Sequence, residues 1–250
     1  MPGNAASLFL KVIAFALLPV ATMALGAAIA TLRPPGVRVR SAIQHFAAGV
    51  VFSVVAVDLL PHILRLHGDV WEVAIGFALG VAVMLTVERL TGAHEHADPS
   101  KDEGHGSVLS MLTAVGADLT LDGLLVGIAF SAGSTTGVLL AIALACELLS
   151  LGLALAVALA RVRASRARRV LVPTALAAVT LLGGAMVGLG LLAHAPEALL
   201  AGVLAFGSAA LLFLVTEELL VEAHRAGEST WATAMFFLGF LVFVVLGMAE

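Results

Sequence analysis

The fold is decided by two neighbouring stretches, SVLSMLTAVGADLTLDGLLVGIAF at residues 107–130 and GVLLAIALACELLSLGLALAVALA at residues 137–160. Each is almost continuously apolar, and each exceeds the roughly 20 residues that an α-helix needs to cross the hydrocarbon core of a bilayer. Three acids interrupt them: Asp118 and Asp122 in the first stretch and Glu147 in the second. We therefore predict two membrane-spanning helices that carry acids near their middles.

Six further apolar runs of similar length flank this pair in the sequence. Runs that are continuous rather than alternating favour helices over the strands of a membrane β-barrel. We therefore predict an all-α, polytopic membrane protein of eight helices, folded as a single transmembrane domain over residues 1–250. The predicted helices 1 to 8 cover residues 8–32, 41–64, 71–91, 107–130, 137–160, 172–193, 198–221 and 230–248.

The composition excludes several classes of protein. Hydrophobic residues make up 61% of the chain and charged residues 12%, against about 25% charged residues in soluble proteins, so the chain cannot form the surface of a soluble globule. A net charge of −4 with 13 basic residues argues against a nucleic-acid binder, and the apolar content argues against a disordered chain. Because Cys146 is the one cysteine, an intrachain disulfide and a zinc site built on a cysteine pair are both excluded.

The basic residues predict the orientation. Eleven of the 13 lysines and arginines lie in the loops where the odd-numbered helices end, whereas Lys11 and Arg65 lie on the other side. Because basic loops stay in the cytoplasm, we expect both termini outside and the 92–106 loop inside the cell. Arginine greatly exceeds lysine and alanine is abundant, which is typical of a GC-rich bacterial genome, so we expect a bacterial plasma (inner) membrane.

A short internal repeat relates helix 2 to helix 7. Residues 58–62 read DLLPH and residues 218–222 read ELLVE, so each segment places an acid and a second polar residue four positions apart on one helix face. Helices 2 and 7 cross the membrane in opposite directions. We therefore predict an inverted repeat of helices 1–3 and 6–8 around helices 4–5, an arrangement that is common in transporters.

The acids inside the predicted helices are the strongest functional signal. A charged side chain at the centre of a bilayer costs about 2.5–3.5 kcal/mol, and no basic residue lies in the middle of any run to pair with one. Such acids favour a pathway for a mobile cation. We expect candidate ligands at three levels: Asp58 and His62 near the outer end; Asp118, Asp122, Cys146, Glu147 and Ser150 in the middle; and His45, Glu88, Glu217 and Glu218 near the inner ends.

The ligand types leave the identity of the cation open. Carboxylates with imidazole and thiolate suit Zn²⁺ or Fe²⁺, whereas an all-oxygen set suits Ca²⁺, Mg²⁺ or Mn²⁺. The 92–106 loop contains His94 and His96 among several acids. This composition is typical either of a metal-collecting loop or of an ordinary solvated loop, and both interpretations stay open.

Three segments resemble the ZIP (Zrt/Irt-like) family of metal transporters. Helix 2, with FAAG at 46–49 and DLLPH at 58–62, is similar to the family's second helix. Residues 118–127 resemble the pattern His-Asn-x-x-Asp/Glu-Gly, and residues 217–224 resemble Glu-Glu-Leu-x-Pro-Glu-Ala-His. The resemblance covers almost the whole chain and implies eight helices, outside termini, a histidine-containing cytoplasmic loop and import of a divalent metal. Zinc is expected, with iron or manganese as alternatives and no organic cofactor.

The departures from the family pattern fall on the metal site. Asp118 stands where the pattern has histidine, and Leu119 stands where it has asparagine. In helix 5, Cys146, Glu147 and Ser150 occupy positions where ligands are usual in the family. The resemblance then implies a metal bound by both aspartates of helix 4 and either Cys146 or Glu147, and whether a second, bridged metal also binds stays open. A site this rich in oxygen would shift selectivity towards Mn²⁺ or Fe²⁺.

Other functions use the same residues differently. The acids can relay protons or another cation, or the protein can bind metal and signal without transporting it. An intramembrane aspartyl protease is disfavoured because Asp118 and Asp122 lie four apart on one helix, and because the chain has no tyrosine and neither a Gly-x-Ser-x-Gly nor a His-Glu-x-x-His motif. We therefore do not expect an enzyme.

Small and basic residues predict the helix contacts and the lipid contacts. We expect close helix packing at a set of glycines, and we interpret the arginines of 161–169 as a topology determinant that contacts anionic lipid. Whether the packed helices stay monomeric or form a homodimer is left open. The glycines expected to permit close packing are Gly76, Gly80, Gly183, Gly184 and Gly188.

Overall fold

The structure is a computed structural model, and it describes residues 2–66, 69–92, 105–192, 195–221 and 230–248. These residues form eight helices that are long and apolar enough to cross a membrane, and no strand occurs among them. The prediction of an all-α, eight-helix membrane protein is confirmed. The helices are α1 (Pro2–Leu32), α2 (Val37–Arg65), α3 (Val70–Gly92), α4 (His105–Ala132), α5 (Ser134–Arg161), α6 (Arg166–Leu192), α7 (Glu197–Phe213, continued by Leu214–Leu219) and α8 (Thr230–Met248).

Most helices extend beyond their predicted bounds. α2 begins at Val37 rather than at residue 41, so that it includes Arg38 and Arg40, and α6 begins at Arg166 rather than at residue 172. An apolar run marks only the part of a helix that lies in hydrocarbon, whereas backbone hydrogen bonding continues into the polar interface. The difference therefore concerns the helix ends and leaves the number of helices unchanged.

The helices pack as a central group of four and two flanking pairs. In the central group, α1 packs on α5, α4 packs on α6, and α1 also contacts α6. The flanking pairs are α2 with α8 and α3 with α7. α4 and α5 contact each other, and they also contact α7 and α2, respectively. The two helices with the mid-membrane acids therefore lie where the central group meets the flanking pairs.

This packing follows the predicted inverted repeat. When α1, α2 and α3 are matched to α6, α7 and α8, and α4 is matched to α5, the contact of α1 with α5 corresponds to that of α6 with α4. The contact of α2 with α8 corresponds in the same way to that of α7 with α3. Because successive spanning helices alternate in direction, matched helices run in opposite directions. The chain thus folds as two three-helix halves around α4 and α5.

Glycines bring the backbones together in all four tight helix pairs. A Cβ built on Gly152 of α5 would collide with the carbonyl oxygen of Met23 in α1, and one on Gly184 of α6 would collide with that of Thr120 in α4. Such close approach supplies van der Waals contact between helices that gain nothing from burying apolar surface in lipid. The other glycines in backbone contacts of this kind are Gly26, Gly49, Gly76, Gly80, Gly123, Gly127, Gly188 and Gly239.

Gly183 is an exception among the glycines expected to permit close packing. It is exposed, and a Cβ built on it would meet nothing within 4 Å. Adjacent residues on an α-helix point about 100° apart, so Gly184 faces α4 whereas Gly183 faces away from it. The expectation for Gly183 is therefore wrong.

Each half of the repeat contains a six-residue π-helical segment at the same point. The segment in α2 is Val54–Leu59, and the segment in α7, 160 positions later, is Leu214–Leu219. The repeat in the sequence has the same offset, since Asp58 and Glu218 are the fifth residues of their segments. Each segment packs on the regular part of the other helix. π-Helical turns are rare and occur frequently at functional sites. Each half of the fold therefore contains one candidate functional position, at the same point of the repeat.

Candidate metal site

Three acids from α4 and α5 converge in the middle of the bundle. One carboxylate oxygen each from Asp118, Asp122 and Glu147 lies within 4.8 Å of the others. The two aspartates are four residues apart and share one face of α4, and the packing of α5 on α4 brings Glu147 to that face. Asp122 and Glu147 are each 2% exposed, whereas Asp118 is half-buried. We call these three residues the acidic group.

Glycine contacts hold both helices of the acidic group in place. Gly123 directly follows Asp122 and lies against the backbone of α6. On α5, Gly152 lies five residues after Glu147 and against the backbone of α1. A larger residue at either position would push the helix, and the carboxylate that it carries, away from the other acids. The separation of the three carboxylates is therefore set by packing within the central group.

The acidic group is strongly negative when its members are ionised. Two unit charges 4.8 Å apart repel each other by about 3–4 kcal/mol at an effective dielectric constant near 20. A divalent cation between the carboxylates offsets this repulsion, and protons compete with the cation for the same oxygens. Tetrahedral Zn²⁺ ligands with bonds of about 2.1 Å stand about 3.4 Å apart, so the group needs only a small contraction to hold such an ion.

Cys146 and Ser150 take different positions beside Glu147. Cys146 is half-buried against the apolar core, and its sulfur is not a member of the acidic group. Ser150 is buried and lies one helical turn beyond Glu147, so it shares the side of α5 that carries this acid. The ligand atoms that the structure brings together from the described residues are therefore oxygens, and the member from α5 is Glu147.

A pocket of about 110 Å³ lies beside the acidic group. Asp118 and Glu88 both line it, together with Ala114 and Val115. The two apolar residues lie between Asp118 and the start of α4, and Glu88 lies near the end of α3. The pocket thus leads from the acidic group towards the end of the bundle that carries the 92–106 loop, and its volume has room for about three water molecules.

Asp58 and His62 lie on α2 on the other side of the membrane centre from this pocket. Both side chains are half-buried, and Asp58 is the fifth residue of the π-helical segment. Pro61 lies between them and cannot donate the backbone hydrogen bond that an α-helix needs at this point. α7 has Val221 at the matching position and still contains a π-helical segment. Proline therefore does not account for both segments.

His45 is buried near the start of α2. Its Nδ1 lies 2.8 Å from the carbonyl oxygen of Ser41, and because a carbonyl only accepts, Nδ1 is the nitrogen that donates a proton in this bond. In the neutral ring the lone pair then resides on Nε2, the form in which an imidazole binds a metal. The backbone of α2 thus orients the ring of His45 as it would orient a metal ligand.

The remaining candidates are not members of the acidic group. Glu88 and Glu217 are exposed. The backbone of Glu218 lies in the π-helical segment of α7, and its side chain is outside the described part of the chain. His94 and His96 fall within 93–104, which is also outside the described residues.

The structure shows features that the sequence interpretation did not identify. The spacing of Ser41 and His45, four residues apart in a helix, is a usable signal for the bond that orients the imidazole. The repeated segments 58–62 and 218–222 mark the place of the π-helical turns but give no sign of their backbone form. The pocket beside Asp118 depends on how three helices are rotated against one another, which no single segment encodes.

No protein-family model matches the sequence. The chain is similar to a protein of Myxococcus xanthus named zinc transporter GufA, with 32% identity over 185 residues. The matched region covers 71% of this chain and 71% of that protein.

Proposed function

Because the chain belongs to the ZIP family of metal transporters, we propose that it carries a divalent transition metal across the membrane through the acidic group of Asp118, Asp122 and Glu147. Zinc is the proposed metal, since the similar protein is named a zinc transporter. Iron(II) and manganese(II) are the alternatives that an oxygen-rich ligand set favours. The proposed direction is into the cytoplasm of a bacterial cell.

The observation that carries this proposal is the convergence of three carboxylates within 4.8 Å of one another in the middle of spanning helices. Ionisable groups at this depth are expensive and are retained for ion pathways. The sequence offers no lysine or arginine at this level, so mobile charges, either protons or a metal cation, balance the carboxylates. A divalent cation supplies that charge and the coordination that the oxygens need.

We propose a route with the acidic group at its centre. Metal enters past Asp58 and His62, binds the acidic group, and leaves through the pocket beside Asp118 towards Glu88. His45, Glu217 and Glu218 lie towards the same end of the bundle as Glu88, and the loop histidines His94 and His96 follow in the sequence. The positive-inside distribution of basic residues supports a cytoplasmic position for that end.

The packing suggests how access to the acidic group changes. The central group is held together by backbone contacts at glycines, and so is each flanking pair. The acidic group lies on α4 and α5, which contact the flanking helices α7 and α2, respectively. Movement of the central group as a unit against the flanking pairs would carry the acidic group between the two sides, as expected for a transporter with an inverted repeat.

Uptake into proteoliposomes tests the proposal. Wild-type protein and Asp122→Asn, which removes one charge at nearly constant size, are each offered Zn²⁺, Fe²⁺ and Mn²⁺. Because loss of a supporting group alone costs 10–100-fold in metal affinity or activity, we expect loss of this ligand to lower uptake by at least about 100-fold. Glu197→Gln is the matched control, since Glu197 is an exposed acid in the first turn of α7.

Normal uptake by correctly folded Asp122→Asn would refute the proposed path through the acidic group. Saturable uptake that is equal in the wild type and Glu197→Gln and is lost in Asp122→Asn would support it and would rank the metals. Helical content and melting temperature of the three proteins separate a lost ligand from a lost fold.

A proton or cation carrier is the second candidate, because the acidic group contains carboxylates alone and neither an imidazole nor a thiolate. Carboxylates without a soft ligand serve proton relays as well as metal sites. Proton flux through purified wild-type protein in metal-free buffer would favour this candidate. Metal binding without any flux would instead favour a sensor.

A further inference from the structure

The turns between α1 and α2 and between α5 and α6 carry a basic surface that the proposed metal path does not use. Residues 33–40 and 161–169 together contain eight arginines and no lysine. We call these eight residues the arginine surface. Six of them are exposed, and Arg40 and Arg169 are half-buried. Both turns lie at the same end of the bundle, because α1 and α5 run in the same direction.

A small apolar cluster holds the two turns side by side. Ala30 near the end of α1 packs with Ala156 near the end of α5. Ile43 of α2 and Val170 of α6 pack against the same cluster. Each of these residues lies within one to two helical turns of an arginine. The two turns of the arginine surface therefore lie side by side, one in the central group and the other at its connection to α2 of a flanking pair.

The turn after α5 has a specific backbone form with an arginine in a position that favours glycine. Arg163 has a φ of 56°, and its N–H donates to the carbonyl of Ala160 at 3.1 Å, while the N–H of Ala164 donates to that of Leu159 at 3.1 Å. These two bonds define a Schellman motif, in which the left-handed residue is usually glycine. A Cβ disfavours this conformation. An arginine placed here against the backbone preference points to a role for its side chain.

The chain segments that carry the arginine surface contain no carboxylate of their own. Residues 1–57 and 148–196 contain neither aspartate nor glutamate, and these stretches include α1, most of α2, the end of α5 and all of α6. Arginine presents a planar fork that binds phosphate oxygens bidentately. At the end of membrane-spanning helices, the phosphates at this level belong to lipid headgroups.

We propose that the arginine surface binds the phosphates of anionic phospholipids and so connects α2 to the central group at one membrane face. This inference rests on charge, backbone geometry and packing of the two turns, and it is independent of the proposed metal path. Lipid bound here spans the boundary between the central group and a flanking pair, where the proposed transport cycle places the movement.

Arg163→Gly provides a test in which loss of the fold is not expected, because glycine suits the left-handed backbone better than arginine does. Binding of phosphatidylglycerol and of phosphatidylcholine with the same acyl chains is titrated by native mass spectrometry of the full chain in neutral detergent. One basic residue near an anionic membrane surface is worth about a fivefold change in affinity. We therefore expect phosphatidylglycerol affinity to fall about fivefold, with a melting temperature that is unchanged or higher without lipid.

Two further variants sharpen the test. Combining Arg163→Gly with Arg166→Gln and Arg168→Gln is expected to lower phosphatidylglycerol affinity by about 100-fold if the residues act independently. Arg65→Gln is the control, because Arg65 is an exposed arginine at the end of α2 on the opposite side, and it should leave the affinity unchanged.

Three results would overturn the proposal. Equal phosphatidylglycerol affinity in wild type, Arg163→Gly and the triple variant would show that the arginines do not bind lipid. Inverted insertion of the triple variant in cells with unchanged lipid affinity would limit their role to topology. Displacement of the lipid by millimolar inorganic phosphate would identify a site for soluble anions.

Discussion

The acids between α4 and α5 and the acids on α2 and α7 lie in different kinds of backbone. Asp122 and Glu147 lie on regular α-helices, are almost fully buried and have nearby glycines that fix their helices against neighbours. Asp58 and Glu218 occupy matching positions in π-helical segments, away from the middle of the bundle. Regular helices hold carboxylates at a set separation, whereas irregular turns recur where proteins change shape or bind ligands. We infer that the central group sets the geometry of the metal-binding carboxylates, and that the π-helical segments are where the backbone of α2 and α7 changes conformation.

The largest difference in metal uptake should separate substitutions of two adjacent residues on the regular helix α5. Glu147→Gln removes a member of the acidic group and is expected to lower metal uptake by at least about 100-fold. Cys146→Ala changes the preceding residue, which is half-buried against the apolar core. A cysteine in such surroundings behaves as a small apolar residue, so we expect uptake to change by less than about threefold.

Initial rates of uptake in proteoliposomes, with protein amounts matched, measure both variants. A large loss in Cys146→Ala with little change in Glu147→Gln would reverse the assignment and make the sulfur the ligand from α5. Equal losses would indicate that both neighbours reach the metal during transport.

The next largest effect should come from the glycine contacts that position the acidic group. Gly184→Ala places a methyl group against the backbone of α4 near Thr120, and overpacking of this kind destabilises a fold by about 1–3 kcal/mol. Gly183→Ala is a matched control on the neighbouring residue, where a Cβ meets nothing within 4 Å. We expect a lower melting temperature and slower uptake in Gly184→Ala, and no loss in Gly183→Ala.

Thermal unfolding of the two variants in the same detergent gives the comparison. If Gly183→Ala proved as damaging as Gly184→Ala, the loss would reflect glycine content rather than the contact of α6 with α4. The acidic group would then not depend on this helix pair.

Hydropathy alone predicted the number of helices, because a chain inside lipid must satisfy its backbone hydrogen bonds within each helix. The spacing of Asp118 and Asp122 also predicted that both share one face of α4. The choice between Cys146 and Glu147 could not be made in the same way. Adjacent residues differ by about 100° around a helix, and the rotation of α5 against α4 depends on contacts such as those of Gly152 with α1.

The π-helical segments could not be predicted from the sequence for a related reason. The repeat of 58–62 and 218–222 gave the positions of these segments. Their apolar composition does not distinguish a π-helical turn from an α-helical turn. Proline is the usual local cause of a helix irregularity, and of the two π-helical segments only the one in α2 has a proline beside it, Pro61. Each segment contacts the regular part of the other helix, and we therefore attribute both segments to tertiary packing.

The smallest expected effect follows from this origin. Pro61→Ala restores a backbone N–H in α2, and α7 shows that a π-helical segment forms with valine at the matching position. If packing of α2 on α7 maintains both segments, amide exchange of residues 54–59 should change by less than about twofold, with the exchange of 214–219 as internal reference. Protection of 54–59 that rises to the level of the preceding turns of α2, with 214–219 unchanged, would mean that proline maintains the first segment alone. The same backbone form would then have a different cause in each half of the repeat, and the two segments could not be treated as equivalent.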